Sequence, residues 1–480
     1  MGNKTSSSVN SLLKKFGAFS LGPIISSFLG FLTVPLVTFF ITPEEYGKAS
    51  MFTVVQGMVS MFVYLGMDQA FIREFNNYRN NLAKLLSNAI VIPMTMAAGF
   101  TIMAIVFKDT LGVFLYGTTN EPLAVYALAV LIPFMVLESF SLLKFRMEEK
   151  GIQYSIFTIL LKAWILVLTI ILFMVYEKSF RSVVYAMALG EIINSIIVTI
   201  LAIKPLGLNL CKYDKTLIKR MLAFGIPLIP AMMMSWTLSS MDKIMIRVEC
   251  GYVELGLYAA AFKIVNILSL FQSCFTLFWT PVAYRWNEEN VEKDFFNIVN
   301  RVVAIVMSIM CLGLLIVKNV VGVVLGDNFL DAINIFPFLL LYPIMYTMSE
   351  STAVGIGFSR KTYFSIVVSG VSCVVNFVLN YLLIPVWGAT GAAIATGTSF
   401  IVFFWVRSII SNKIWWKFDM GFYLPLTVML VINCCVHTFF KGYIVYVLSC
   451  VSIILVLILN YKSLKKYATY IGIPIFSRKE

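Results

Sequence analysis

The stretch Lys219-Arg220-Met221-Leu222-Ala223-Phe224 decides the fold, because an earlier one, Lys14-Lys15-Phe16-Gly17-Ala18-Phe19, is built the same way. In each copy two basic residues lead directly into a long apolar run. Prolines follow, Pro23 and Pro35 in the first copy and Pro227 and Pro230 in the second. Further on, Glu45-Tyr46-Gly47 returns as Glu254-Leu255-Gly256 at nearly the same offset. Self-similarity at a fixed offset is the mark of a duplicated structural unit. What is duplicated here is a set of apolar segments, each long enough for the ~20 residues that a bilayer-crossing helix needs.

The rest of the chain has the same character. Of its 480 residues, 60% are hydrophobic and 13% charged, with a mean hydropathy of +0.89. Soluble domains run to roughly 45–50% apolar and about 25% charged residues. Apolar windows broken by charged or Gly/Pro-containing turns give about fourteen spans, the first near residues 16–41 and the last near 443–461. Within lipid every backbone polar group must find its partner inside the segment, so these windows are read as helices. The expected fold is an all-α polytopic membrane protein of two pseudo-symmetric six-helix lobes, residues 1–210 and 211–416, followed by a terminal helix pair at 417–461 and a cytoplasmic tail at 462–480.

A net charge of +13 raises the question of nucleic acid. The position of the charges answers it. Most of the 37 Lys and Arg residues fall in the tails and even-numbered connections, whereas the odd-numbered connections hold only Lys48, Lys108, Lys178, Arg181, Lys243, Arg247, Lys318 and Lys441. By the positive-inside rule both termini are cytoplasmic, and no nucleic-acid partner is expected. The first and seventh spans then run in the same direction. Parallel repeats of this kind belong to transporters that bind substrate near mid-depth at the repeat interface. The longest connection, from Lys204 to Arg220, is too short for a catalytic domain. The eight cysteines show no metal-type spacing, and His437 has no ligand partners at recognisable spacing. No cofactor, metal or catalytic residue is expected.

Ionisable residues at membrane depth cost about 2.5–3.5 kcal/mol on insertion scales and face a partner or a cavity. Lys162, Glu191 and Lys263 are the three that lie well inside spans. Lys162 and Glu191 differ in depth by roughly 4–5 Å at 1.5 Å per residue. They could form a structural bridge, or both could face water with Lys162 contacting phosphate. Arg73, at the inner end of the second span, is placed either to receive a phosphate through bidentate hydrogen bonds or to anchor the helix. Asp242 and Arg247 form a polar cluster at the outer end of the seventh span.

Three motifs carry a family resemblance. They are Phe224-Gly225-Ile226-Pro227-Leu228-Ile229-Pro230 with Gly256-Leu257-Tyr258-Ala259-Ala260-Ala261-Phe262-Lys263, then Asn376-Phe377-Val378-Leu379-Asn380-Tyr381 with Gly388-Ala389-Thr390-Gly391-Ala392-Ala393, and Thr42-Pro43-Glu44-Glu45-Tyr46-Gly47. The chain resembles Wzx-type polysaccharide flippases, the polysaccharide-transporter branch of the multidrug/oligosaccharidyl-lipid/polysaccharide exporter superfamily. The resemblance implies alternating-access transport of undecaprenyl-diphosphate-linked oligosaccharide to the outer leaflet of the bacterial plasma membrane, for O-antigen, lipopolysaccharide, capsule or exopolysaccharide synthesis. Membrane lipid, a polysaccharide polymerase, chain-length machinery and a proton or sodium counter-ion are the partners implied. Lys162, Lys263 and Arg73 are the cavity candidates and Glu191 the coupling acid. A multidrug cation antiporter of the same superfamily is the alternative.

Overall fold

The computed structural model describes residues 2–204, 214–361 and 363–471. These are helical, and no strand occurs among the described residues. The chain divides into two compact units, Met1–Lys243 and Ile244–Glu480. The expected lobe boundary at 210/211 and the tail residues 472–480 lie outside the described residues.

The first unit contains α1 (Gly2–Phe40), α2 (Pro43–Tyr64), the short α3 (Met67–Glu74), α4 (Leu82–Val106), the short α5 (Lys108–Tyr116), α6 (Pro122–Met147), α7 (Gly151–Val175), α8 (Phe180–Ala202), α9 (Lys215–Gly225) and the start of α10 (Ile229–Val265). Helix α2 begins where the sequence supplies a start signal. The Thr42 side chain accepts from the Glu45 N–H, Pro43 sits in the first turn, and Glu44 and Glu45 face the positive helix end. It ends at Leu65 and Gly66, both left-handed. At Gly66 a Cβ would lie 2.6 Å from the Gly225 carbonyl oxygen, so this pair of glycines lets α3 meet α9. Packing within the unit is mainly of α7 on α1 and α8 and of α6 on α8 and α4. Phe71 packs its ring edge-to-face against both Phe75 and Phe140. Ile102, Val106, Met174 and Val175 stand exposed, as lipid-facing residues do.

The second unit holds the rest of α10, then α11 (Leu268–Glu288), α12 (Lys293–Ile316), the short α13 (Asn319–Leu325), α14 (Ala332–Thr352), the short α15 (Val354–Phe358), α16 (Tyr363–Ile414), α17 (Tyr423–Phe439) and α18 (Ile444–Ile471). Its closest helix pairing is α14 with α16. The small residues Ala389, Gly391, Ala392, Ala393 and Ala395 are all buried, and at Gly397 a Cβ would sit 2.5 Å from the Phe338 carbonyl oxygen. Small side chains at close helical spacing are what allow such an approach. The terminal pair α17–α18 packs on α12 and α14. A polar chain fastens it: Lys318 Nζ donates to the His437 carbonyl, His437 Nε2 lies 2.8 Å from Ser449 Oγ, and Ser449 donates to Asn433 Oδ1 at 2.9 Å.

Eleven stretches among the described residues are long and apolar enough to cross a membrane. Two of them contain a sharp bend. Helix α10 turns at Gly251 (φ 84°, ψ −169°) and α16 at Gly388 (φ 54°, ψ −133°), conformations that suit glycine. Divided at these bends, and with the 22-residue α2 included, they account for about fourteen crossings, and every apolar window read from the sequence falls on one of these segments.

The duplication is physical as well as sequential. Glu45 Oε2 accepts from the Phe180 backbone N–H at 2.6 Å, at the start of α8. Glu254 Oε2 accepts from the Ala389 N–H at 2.9 Å, just past the bend in α16. Each glutamate thus satisfies an orphan donor at a helix start 135 residues downstream, in its own unit.

Candidate functional site

Four helices of the first unit bring polar side chains together inside the membrane-spanning region. Glu191 on α8 accepts from Gln56 Nε2 of α2 at 2.7 Å. One turn along α8, Asn194 Nδ2 donates to Glu138 Oε1 of α6 at 2.9 Å. Lys162 on α7 is near enough to act electrostatically on both carboxyl groups, and the two carboxyls act on one another. Lys162 makes no contact-distance ion pair among the described residues. Lys162 and Glu191 therefore interact electrostatically without forming a direct bridge. Glu138 is 5% exposed and Asn194 fully buried, yet Glu138 Oε2 and Asn194 Oδ1 have no hydrogen-bond partner among the described residues. A buried acceptor left this way costs about 1–3 kcal/mol unless a proton or cation fills the gap.

The composition of this cluster decides its chemistry. Two carboxyls outnumber one ammonium, so the carboxyls are suited to hold a proton or a small cation, and Lys162 is the one cationic group of the cluster that could meet an anion. Tyr64 borders it, its hydroxyl donating to the Met135 carbonyl at 3.1 Å.

A second group gathers at the Arg73 end of the unit. Arg73 is exposed, with its guanidinium 4.5 Å above the Phe224 ring. Beside it, buried Glu74 accepts from Arg220 Nη2 at 2.7 Å and from Asn77 Nδ2 at 3.2 Å. Arg73 is thereby oriented by an aromatic face while its neighbour's charge is already taken. At the start of α9, Asp214 accepts from the Thr216 and Leu217 N–H groups at 3.0 and 3.2 Å and pairs with Lys84 at 2.8 Å. The hydrogen bond from Lys84, reinforced by those backbone donors, holds its carboxyl below the usual range. In the connection before α8, Ser179 Oγ and Arg181 hold the Glu177 carboxyl down in the same way.

The remaining candidates are dispersed. Asp242 is 2% exposed and closes the first unit, next to Lys243. Arg247, in the second unit, donates from Nε to the Tyr252 hydroxyl at 3.3 Å. Lys263, near the end of α10, is exposed. The structure thus brings Lys162 near Glu191 and leaves Arg73 in a separate group.

The sequence reading missed Gln56, Glu138 and Asn194. The sequence places Glu138 within its span but close to the window's end near 143, not among the three residues well inside. In fact α6 continues to Met147, which draws Glu138 inward. Asn194 could have been found from its spacing, one turn from Glu191 on the same face.

A two-unit, all-helical, multi-pass chain with buried carboxyls and an amine at membrane depth has the build of a membrane transporter. Residues 12–286 match the family described as polysaccharide biosynthesis protein, and the chain belongs to that family. A curated relative is the probable low-salt glycan biosynthesis flippase Agl15 of Haloferax volcanii, 25% identical over 172 residues. That match spans 34% of this chain and 36% of the relative, about a third of its length. Among solved structures, lipid II flippase MurJ in an inward closed conformation superposes with a TM-score of 0.71 at 16% identity, covering 93% of this chain and 99% of that one. An inward-facing MATE multidrug transporter of the MOP superfamily gives 0.60 at 14% identity, covering 82% and 97%. The chain shares its fold with these solved structures.

Proposed function

We propose that the protein is a flippase that moves a lipid-linked oligosaccharide, carried on undecaprenyl diphosphate, from the cytoplasmic to the outer leaflet of the bacterial plasma membrane. It does so by alternating access, with both termini in the cytoplasm, and supplies repeat units for O-antigen, capsule or exopolysaccharide assembly. The observation that carries this reading is the family match over residues 12–286 on a chain with a transporter fold. The relative from Haloferax volcanii, described as a glycan biosynthesis flippase, points the same way.

In this scheme Arg73 receives the diphosphate from the inner leaflet, Lys162 and Lys263 face the transported headgroup, and Asp242 and Arg247 lie on the exit side. Glu191, with Glu138, carries the counter-ion, a proton or sodium. A polymerase and chain-length machinery take over the product. A sugar cannot cross hydrocarbon without losing hydrogen bonds worth several kcal/mol each, so the protein must supply replacements.

One observation favours a second reading. The Glu138–Glu191 cluster is net acidic, which suits an organic cation, so a multidrug cation antiporter is the alternative. Deletion of the gene followed by leaflet-specific analysis of lipid-linked intermediates separates the two. A flippase leaves sugar-loaded carrier facing the cytoplasm. Normal leaflet distribution with altered drug efflux sinks the flippase reading and favours the exporter.

A further inference from the structure

The second unit contains a cavity of about 260 Å³ that no part of the sequence reading reached. Its polar lining comes from Thr280 and Tyr284 on α11, Glu350 on α14, Ser365 at the start of α16 and Arg407 near its end. Arg407 uses Nη1 alone for its bonds, to Glu350 Oε1 at 2.5 Å and to Ser349 Oγ at 2.8 Å. Its plane is held against the rings of Tyr346 and Phe403. The Nε and Nη2 donors therefore have a fixed direction and no protein partner among the described residues. The hydroxyls of Thr280, Tyr284 and Ser365 likewise make no hydrogen bond to the described residues. Tyr284 is set edge-on to Phe358 at 5.1 Å. Gly357 leaves it room, since a Cβ there would collide with the phenol oxygen.

We propose that this cavity is a binding subsite for one uncharged sugar ring. It deepens the flippase reading and rests on it. The argument is one of hydrogen-bond type. The cavity offers donors from the guanidinium, hydroxyls that can donate or accept, and an acceptor in the second Glu350 oxygen. A sugar hydroxyl both donates and accepts, and so can use all three. The ionised diphosphate diester of a lipid carrier only accepts, and it would meet a carboxylate already bound to the one cation lining the cavity. Size agrees, because sites for drug-sized molecules run to roughly 300–1,000 Å³ and this one lies below that range. So does position. The cavity sits beside the connections that follow α11, α15 and α16, where Lys293, Arg360, Lys361, Lys413 and Lys417 mark the cytoplasmic side. A sugar bound here is met before it crosses.

The test titrates the purified full-length protein in detergent with free neutral hexoses, with N-acetylhexosamines and, separately, with inorganic phosphate, following tryptophan emission. Trp279 adjoins Thr280 in sequence and Trp415 packs against Phe358, so the probe lies near the site. At least one sugar should give a saturable change at roughly millimolar concentration, the range expected for a few hydrogen bonds. Thr280→Val and Ser365→Ala should each weaken it about tenfold at unchanged melting temperature, and Gly357→Ala should abolish it by displacing the phenol. No saturable response to any sugar, or saturation by phosphate alone, overturns the subsite. Because binding is read without transport, sugar binding beside an unchanged leaflet distribution in the deletion strain would leave the subsite standing and remove the flippase reading.

Discussion

Glu138 is the residue on which the chemistry of the first unit turns, because half of its carboxyl is buried without a donor while the other half holds Asn194. Glu138→Gln keeps an acceptor for Asn194 and removes repulsion with Glu191, so thermal unfolding in detergent should shift upward. Glu138→Leu deprives the buried Asn194 amide of its acceptor and should cost about 1–3 kcal/mol. Equal destabilisation by both substitutions would show that the charge of Glu138 is needed for folding and contradict this account. The same residue shows where sequence legibility ends. Lys162, Glu191 and Glu138 are each the one charged residue in their windows, but Glu138 lies near its window's end, and only the extension of α6 to Met147 draws it inward. Arg407 and Glu350 were hidden for another reason. Each looks like an ordinary helix-end charge, and only the fold brings them together across 57 residues of chain.

At the scale of elements, the repeated glutamates act as clamps. Glu45 and Glu254 each hold the start of a helix far downstream, and loss of a side-chain cap costs about 0.5–2 kcal/mol. Glu45→Ala and Glu254→Ala should each lower the unfolding midpoint, with the Gln variants milder because an amide oxygen still accepts; neutral Ala variants would mean the carboxylates are incidental. Asp214, capping α9, gives a pH signature. Its folded pKa lies below the ordinary value of about 3.9, so its contribution is present above that value and fades as pH falls through the lower, folded one. Asp214→Asn should therefore flatten the decline in unfolding temperature below about pH 4. An unchanged acid limb would show the cap to be unimportant. The repeat itself was legible as Glu45-Tyr46-Gly47 and Glu254-Leu255-Gly256. What the motif does was not, because its partners, the backbone N–H groups of Phe180 and Ala389, leave no mark in side-chain identity. The bends at Gly251 and Gly388 were hidden likewise: each turn between spans has shrunk to a single glycine.

For the whole molecule, the question is what drives transport. In the proposed flippase scheme the cargo is anionic, and the sign of the membrane potential alone sets the direction in which it gains energy. Carrying a diphosphate of about two negative charges outward across an inside-negative membrane gains about 2.3 kcal/mol per charge per 100 mV. Any inward counter-ion bound at Glu191 and Glu138 adds its own gradient to that force. Proteoliposomes of the full chain, loaded with lipid-linked oligosaccharide, should therefore respond to two independent drives: an imposed potential and an imposed proton or sodium gradient. Glu191→Gln should abolish the response to the ion gradient and leave the response to the potential, since the cargo's charge is untouched. Charge reversal at Lys162 and Lys263 should slow flipping under either drive if both face the headgroup, and unchanged flipping would exclude them from the path. If Glu191→Gln removed both responses equally while the protein stayed folded, Glu191 would act on the cargo step itself, and separate ion coupling at the first-unit cluster would be wrong.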